Sequence, residues 1–359
     1  MLDLQKLRVM VENSTSLTQT ARELSERDRD YYDGHQWTAE EAAVLNARKQ
    51  PIITINRIKR KVDAMVGIEN QGRVDPRAYP RRPNQAEAAD IATKALVFID
   101  DVTRFDSKRS QAFENLLVEG YGGVEVIVEE KRGQLEVCVN RLRWEEIFFD
   151  PHSREKDFGD AAYIGSMKWM AMDAAIEMYT GLSKPDGSQW TAEELEQTFA
   201  QTMRTAQDGE TFEDRPFEGT GFRWADKRQS RVRVDQMYYK HQGKWHLSIF
   251  CGGGEILNQV SPYLDEDDKP CCPIYLMSAY VDRENRRYGV VRDMISAQDE
   301  VNHRRSKALF QMTQRQTLGV KGAVDSVEKM KRELSRPDGH VEINIEQFED
   351  AARVGMKPF

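Results

Sequence analysis

Cysteine is scarce in this chain, with four in 359 residues: Cys138, Cys251, Cys271 and Cys272. Their spacing forms neither a disulfide framework nor a pair of CxxC knuckles. In a reducing compartment such residues serve as small buried hydrophobes. A zinc site drawn from His241, His246, Cys251 and Cys272 would match no familiar ligand spacing, so no metal and no cofactor is expected. Long apolar runs are also missing. None reaches the ~18–20 residues that span a bilayer, and "MLDLQKLRVMVENSTSLTQ" lacks the apolar core of a secretory signal. No membrane association and a cytosolic origin follow as expectations. Absent too are the common catalytic signatures GxSxG, HExxH, Walker A and GxGxxG. The six histidines sit in unrelated contexts. No catalytic residue is assigned, and an enzyme is not expected.

Apolar residues are themselves sparse: 39% hydrophobic against 31% charged, with a mean hydropathy of −0.70. A chain of this length should bury a large core. Such polarity points to an extensive solvated surface or to a subunit of an assembly, and the assembly reading is favoured. The net charge of −8 argues against a generally basic nucleic-acid coat. Local basic patches are compatible with it, because surface fields act over ~8–10 Å.

What is present begins with helix. Residues 1 to about 33 read as one helix closing at Gly34. "QWTAEEAAVLNARKQP" then offers Thr38 and Glu41 as a capping box, with Pro51 as the stop. The same "QWTAEE" phrase recurs from Gln189, as reuse of capping chemistry and not as a repeat architecture. A further helix is expected from near Asn56. Between Arg48 and Asn84 ten Lys/Arg face three Asp/Glu, so this stretch is a basic block. Residues 87 to 120 read as helix with a kink near Arg104 to Ser107. Gly120, Gly122 and Gly123 mark a turn, with sheet from near Val124 and a hairpin tip at "KRGQ". "DAAIEMYTG" reads as a short helix and 230–285 as β-rich. "RRYGVVRDMISAQDEVNHRRSKALFQMTQRQ" from Arg286 is a long helix. On it Val290, Met294, Ala297, Val301, Ala308 and Met312, widened by Val291, Ile295 and Leu309, form the expected packed stripe. Asp293 near its start and Arg304, Arg305, Lys307 and Arg315 in its second half complement the helix dipole. "DSVEKMKREL" is a last helix and "HVEINI" a short strand. The overall expectation is an α+β fold.

Three candidate chemistries were weighed against plainer readings. Cys251-Gly-Gly-Gly-Glu255 lacks the following helix that a phosphate loop needs, so a hairpin turn is expected. The run Asp265 to Asp268 could offer carboxylates to Mg²⁺ or Mn²⁺, but consecutive residues spray their side chains around a loop. A solvated turn is the better reading. The basic residues Arg57, Lys59, Arg60, Lys61, Arg73, Arg77, Arg81 and Arg82 suit either phosphates or the acidic surface of a neighbouring copy.

Three composite segments carry a family resemblance. The first is "DRDYYDGHQW" followed by "ARKQPIITINRIKRKVDAMVGIENQ". The second is "AFENLLVEGYGGVEVIVEE" followed by "NRLRWEEIFFDPHSREKDFGDAAYIG". The third is "CPIYLMSAYVDRENRRYGVVRDMISAQDEVNHRRSKAL". Together they resemble tailed-bacteriophage portal proteins of the P22-like type, from about Leu24 to the end. The resemblance implies a ring-forming subunit with a mixed helical and β wing over 1–229. A β-rich clip over 230–285 and a stem helix over 286–316 would follow, with 317–359 returning toward the wing. Further wing helices, tunnel loop and crown would be missing after Phe359.

It further implies a dodecameric ring at one capsid vertex of the virion, assembled in the host bacterial cytoplasm. The ring would be the channel for genome packaging and ejection, with double-stranded DNA passing non-specifically. Implied partners are the terminase large subunit, head-completion or adaptor proteins, and major capsid and scaffolding proteins. On this reading Arg304, Arg305, Lys307 and Arg315 are channel or intersubunit candidates, and Arg57, Lys59, Arg60, Lys61, Arg81 and Arg82 form a basic wing surface. The alternative is a metal-dependent nucleic-acid-processing enzyme using the 265–268 acidic run, with Arg304 and Arg305 clamping phosphates. A DNA-binding module that forms no ring is the third reading.

Overall fold

The computed structural model describes residues 1–131, 133–184, 187–205, 224–226, 229–313, 324–335 and 339–342. The first third is helical: α1 (Leu4–Asp33), α2 (Ala39–Ala47), α3 (Ile58–Gln71), α4 (Ala86–Thr103) and α5 (Phe105–Val118). The strands β1 (Tyr121–Lys131), β2 (Gln134–Leu142), β3 (Ile147–Phe149) and β4 (Tyr163–Ala171) follow, then helices α6 (Met172–Tyr179) and α7 (Ala192–Thr205). Next come β5 (Ala225–Asp226), β6 (Arg231–His241), β7 (Lys244–Cys251), β8 (Glu255–Val260), β9 (Ile274–Ser278), β10 (Tyr280–Val281) and β11 (Arg287–Tyr288). Helices α8 (Val291–Thr313) and α9 (Val327–Glu333) close the described chain. The fold is α+β.

Local chemistry sets many of these ends. Gly34 stops α1 with a left-handed φ of 101° and donates its N–H to Asp30 O, as a C-terminal glycine does. Thr38 and Glu41 form the capping box of α2, and Thr191 and Glu194 exchange the same bonds at α7. Arg104, at φ 51°, breaks α4 from α5. Sheet begins at Tyr121, three residues before the expected Val124, and Gly122 lies within the strand and not in a turn. A Cβ on Gly122 would stand 2.3 Å from Ala112 O, so the glycine lets α5 lie directly on β1.

Two sheets face each other. One runs β2-β1-β9 and the other β3-β4-β6-β7-β8, with β5 paired to β6, all antiparallel. Between them lie Tyr121, Leu142, Ile274 and Leu276 against Ile147, Phe149, Ile164, Tyr238, Leu247 and Leu257. The opposite face of the larger sheet packs Phe148, Tyr163, Met237, Tyr239 and Phe250 on Leu7 and Val11 of α1. One end of that sheet is closed by Tyr179 of α6 and by Leu195 and Phe199 of α7. A separate helical cluster joins Tyr32, Ile58, Val62, Leu117, Val118, Val291 and Ile295. With 30 residues, α1 is about 45 Å long and reaches from the large sheet to this cluster.

The boundary expected between 229 and 230 falls within these packing layers. β4 pairs with β6 from Tyr163↔Tyr239 to Ala171↔Arg231, and β9 pairs with β1. Strands from both sides of 229 therefore share hydrogen bonds and one core.

The long helix differs from its expected form in two ways. It starts at Val291, because Arg287 and Tyr288 pair as strand with Tyr280 and Val281. Gly289 then passes so close to α5 that a Cβ would lie 2.2 Å from Leu117 O. Its packed face is also different. The buried residues are Val291, Ile295, Gln298, Asn302 and Ser306, whereas Met312 is 83% exposed and Leu309 41% exposed. Of the expected apolar stripe, Val291 and Ile295 are buried with Val290 and Met294 packed beside them, whereas its C-terminal members lie on the flank and the buried face there is polar.

Hydrogen bonding to extended backbone explains that face. Ser306 Oγ accepts from Ile53 N–H (3.2 Å), Asn302 Oδ1 from Ile55 N–H (3.0 Å) and Gln298 Oε1 from Arg57 N–H (3.1 Å). Gln298 Nε2 returns a bond to Ile55 O (2.8 Å), and Asn302 Nδ2 donates to Gln36 Oε1 (2.7 Å). Four helical residues rise ~6.0 Å, and two extended residues advance ~6.6 Å. Side chains at every fourth helical position therefore keep step with alternate amides of a chain running the other way. Replacing Asn302 by Ala strands Ile55 N–H and the Gln36 amide. Urea denaturation is expected to show a loss of about 1–3 kcal/mol, against almost none for Arg304→Ala; equal small losses would refute the zipper's role. Gly289→Ala should cost about 1–3 kcal/mol by overpacking, read from the same curves.

Candidate functional site

The basic residues of α8 divide by helical geometry. At about 100° per residue, Arg304 points away from the buried Asn302–Ser306 row, and Arg305 and Lys307 flank that row on opposite sides. All three are exposed, and Arg304, 80% exposed at its side chain, pairs with Glu300 one turn earlier. That is the favourable order for a surface helix pair. Arg315 lies outside the described residues.

The second basic group surrounds the start of α3. Arg57, Lys59, Arg60 and Lys61 are all exposed, while the backbone of Arg57 is held on Gln298. The zipper therefore brings this group and α8 into one body. Lys59 Nζ sits 5.4 Å from the Tyr32 ring centroid. Arg81 and Arg82 are also exposed, and Arg81 reaches Glu266 at 3.6 Å. Arg73 behaves differently: it bonds to Glu69 and Ser110 and to Asp106 O, joining α3 to α5. Its charge is used inside the fold.

The acidic run 265–268 is a tight turn. Asp265 Oδ1 accepts from the N–H groups of Asp267 (2.8 Å) and Lys269 (2.9 Å). The Lys269 and Asp267 amides hold the Asp265 carboxyl below its ordinary range. Lys269 Nζ pairs with Asp267 at 3.1 Å. No group of three or more His, Cys, Asp or Glu among the described residues is arranged to hold a metal ion. The glycine loop after Cys251 is the β7–β8 turn, with Cys251 N–H on Gly254 O. It presents carbonyls outward, and Cys251 O and Gly252 O accept from Arg8 Nη2 at 3.0 and 2.8 Å. That polarity is opposite to a phosphate cradle. Burial pushes the Cys251 thiol up, and that of Cys272 to about 12, so both are inert neutral groups at neutral pH.

A sequence model of the phage P22-like portal protein family matches residues 8–358, nearly the whole chain. The chain belongs to the phage P22-like portal family. No curated protein matches it. The family is a structural one, and no helix among the described residues is long and apolar enough to cross a membrane.

In this portal-family chain the sequence reading missed the polar groups that position the basic residues. Gln298, Asn302 and Ser306 were passed over because their types read as surface; their spacing of four was the available signal. Also missed was a buried charge group where α1 meets α5 and α8. Arg29 bridges Glu119 (2.5 Å) and Glu114 (2.9 Å), and Arg292 lies 3.8 Å from Asp28 and 3.7 Å from Asp282. His303, the histidine of the long helix, meets Trp37 edge-on at 4.8 Å and Glu41 at 3.9 Å. It anchors the start of α2 on α8. His303→Ala is expected to lower unfolding free energy by about 1 kcal/mol, as for a lost aromatic contact. Unchanged denaturation would show that the contact contributes nothing.

Proposed function

We propose that the chain is the subunit of a ring, dodecameric in the assembled virion, that forms the portal vertex of a phage capsid. The match of the portal family across residues 8–358 carries this reading. In it, residues 1–229 form the wing, 230–285 the clip and 286–316, which hold α8, the stem, with 317–359 turning back toward the wing. The ring is the channel for genome packaging and ejection. Terminase, head-completion, capsid and scaffolding proteins dock on it, and it makes or breaks no bond itself.

The surface suits such an assembly. On α4, Ile91, Leu96, Phe98 and Val102 are 62%, 44%, 67% and 57% exposed. A helix with that much bare apolar surface is stable in water only if something covers it. A ring supplies the cover through its heterologous contact, in which one face of each subunit meets a different face of the next. The acidic balance of −8 lets DNA slide, since each phosphate contact adds retention. Arg304, Arg305 and Lys307 then face either a neighbour or the channel, while Arg57, Lys59, Arg60, Lys61, Arg81 and Arg82 form the basic wing surface.

Electron micrographs of the purified chain test this directly. Rings with a central hole are expected, and Phe98→Asp with Ile91→Asp should reduce ring yield at least tenfold while leaving far-ultraviolet dichroism unchanged. A monodisperse monomer at all concentrations would overturn the ring reading. For the channel, reversing Arg304, Arg305 and Lys307 to Glu should lower duplex-DNA retention at ~50 mM salt by tenfold or more. Unchanged retention would assign those residues to subunit contact.

A further inference from the structure

A cleft of about 570 Å³ opens between α1, the loop after β3 and the turn before β11. Four arginines line it: Arg22 from α1, Arg154 from the loop, Arg286 from the turn and Arg287 from the start of β11. His152 joins them, and the only carboxylate in the lining is Glu284, which is paired to Arg286. Tyr121, Phe149 and Pro151 supply an apolar floor. None of the functions considered above uses this cleft.

Arg287 is its distinctive member. The residue is 2% exposed, yet it forms no ion pair with a described carboxylate. Its Nη1 donates to Glu155 O (3.0 Å) and Ser278 Oγ (2.5 Å), and its Nη2 to Ser153 O (3.1 Å). Phe158 stacks 3.8 Å from the guanidinium carbon. The Nε is buried without a hydrogen-bond partner. The carboxylate that acts on it through space, Asp160, is already bound by Ser153 Oγ (2.5 Å) and Arg154 N–H (2.7 Å). Neutral carbonyls and hydroxyls satisfy most of its donors but supply no countercharge. A buried cation whose countercharge acts only through space is costly, and burial pushes Arg287 down to about 10 despite Asp160. An anion in the adjoining cleft would offset that cost.

The arrangement also selects the anion. Cationic groups line the cleft from three separate chain segments. A flat carboxylate presents two oxygens in one direction, whereas a phosphate presents oxygens in all of these directions and carries more charge. We propose that the cleft bounded by Arg22, Arg154, Arg286 and Arg287 is a binding site for a phosphate group. The group could come from free inorganic phosphate or from a nucleic-acid backbone. In either form it ties α1 to the turn that leads into α8.

Thermal melting of the full chain in inorganic phosphate, against chloride at matched pH and ionic strength, tests the site. A rise of several degrees that saturates with phosphate is expected. Phosphorus NMR should show line broadening that a short duplex DNA reverses if the backbone is the natural source, and that DNA leaves untouched if free phosphate is. Arg154→Ala, at an exposed position, should weaken phosphate binding at least tenfold while melting in chloride stays as before. This variant keeps the test open if Arg287→Gln fails to fold. Equal melting in the two salts, or full phosphate affinity in Arg154→Ala, would overturn the proposal.

Discussion

Extended backbone that must find hydrogen-bond partners outside a sheet is the constraint on which the rest of this structure depends. Among the described residues no strand pairs with residues 53–57, and α8 completes their amides with Gln298, Asn302 and Ser306. The edge strand β3 presents the same problem, and α1 answers it in the same way. Ser14 Oγ donates to Phe149 O (2.6 Å) and Arg22 Nη2 to Ile147 O (2.5 Å). Unpaired backbone in the interior is too costly to tolerate, so polar side chains are buried where apolar ones would be expected. An edge covered in this way is also closed to pairing with other chains.

These two helix-to-strand seams give the chain its mechanical continuity. α1 runs from the core of the large sheet to the helical cluster, and α8 enters that cluster beside it through Val291 and Ile295. Asn56 joins the seams to the helix ends: its Nδ2 donates to Tyr32 O (2.8 Å), and its Oδ1 accepts from Lys59 N–H (3.0 Å). A load applied at α8 is thus passed to the sheets through hydrogen bonds and packed side chains, not through a flexible link. Such continuity suits the ring subunit proposed above.

Much of the secondary structure was legible before the fold was seen, because its signals are local. The Thr38–Glu41 and Thr191–Glu194 boxes, the stop at Gly34 and the break at Arg104 each act within a few residues. The site was legible in part. Arg304, Arg305 and Lys307 stand exposed on α8 as charged residues should, and His303 meets Trp37 and Glu41 where α2 rests on α8. The stripe from Val290 to Met312 holds in its first half, through Val291 and Ile295, and fails in its second, because apolar periodicity assumes an apolar neighbour. Here the neighbour of the C-terminal half of α8 is backbone, which selects amides and hydroxyls. The pairing of β4 with β6 is not legible for a related reason: a shift to β-rich sequence says nothing about which earlier strand will pair with it.

By itself, then, the sequence determined the helices, their caps, the α+β class and the family, since propensity, capping and motif spacing are properties of neighbouring residues. Only the tertiary structure decided that β4 joins β6, that Gln298, Asn302 and Ser306 form the inner face of α8, and that four arginines gather at one cleft. Those outcomes bring together residues from 60 to more than 250 positions apart. Their energies depend on which backbone groups and charges are left without water when the layers close, and no local pattern records that.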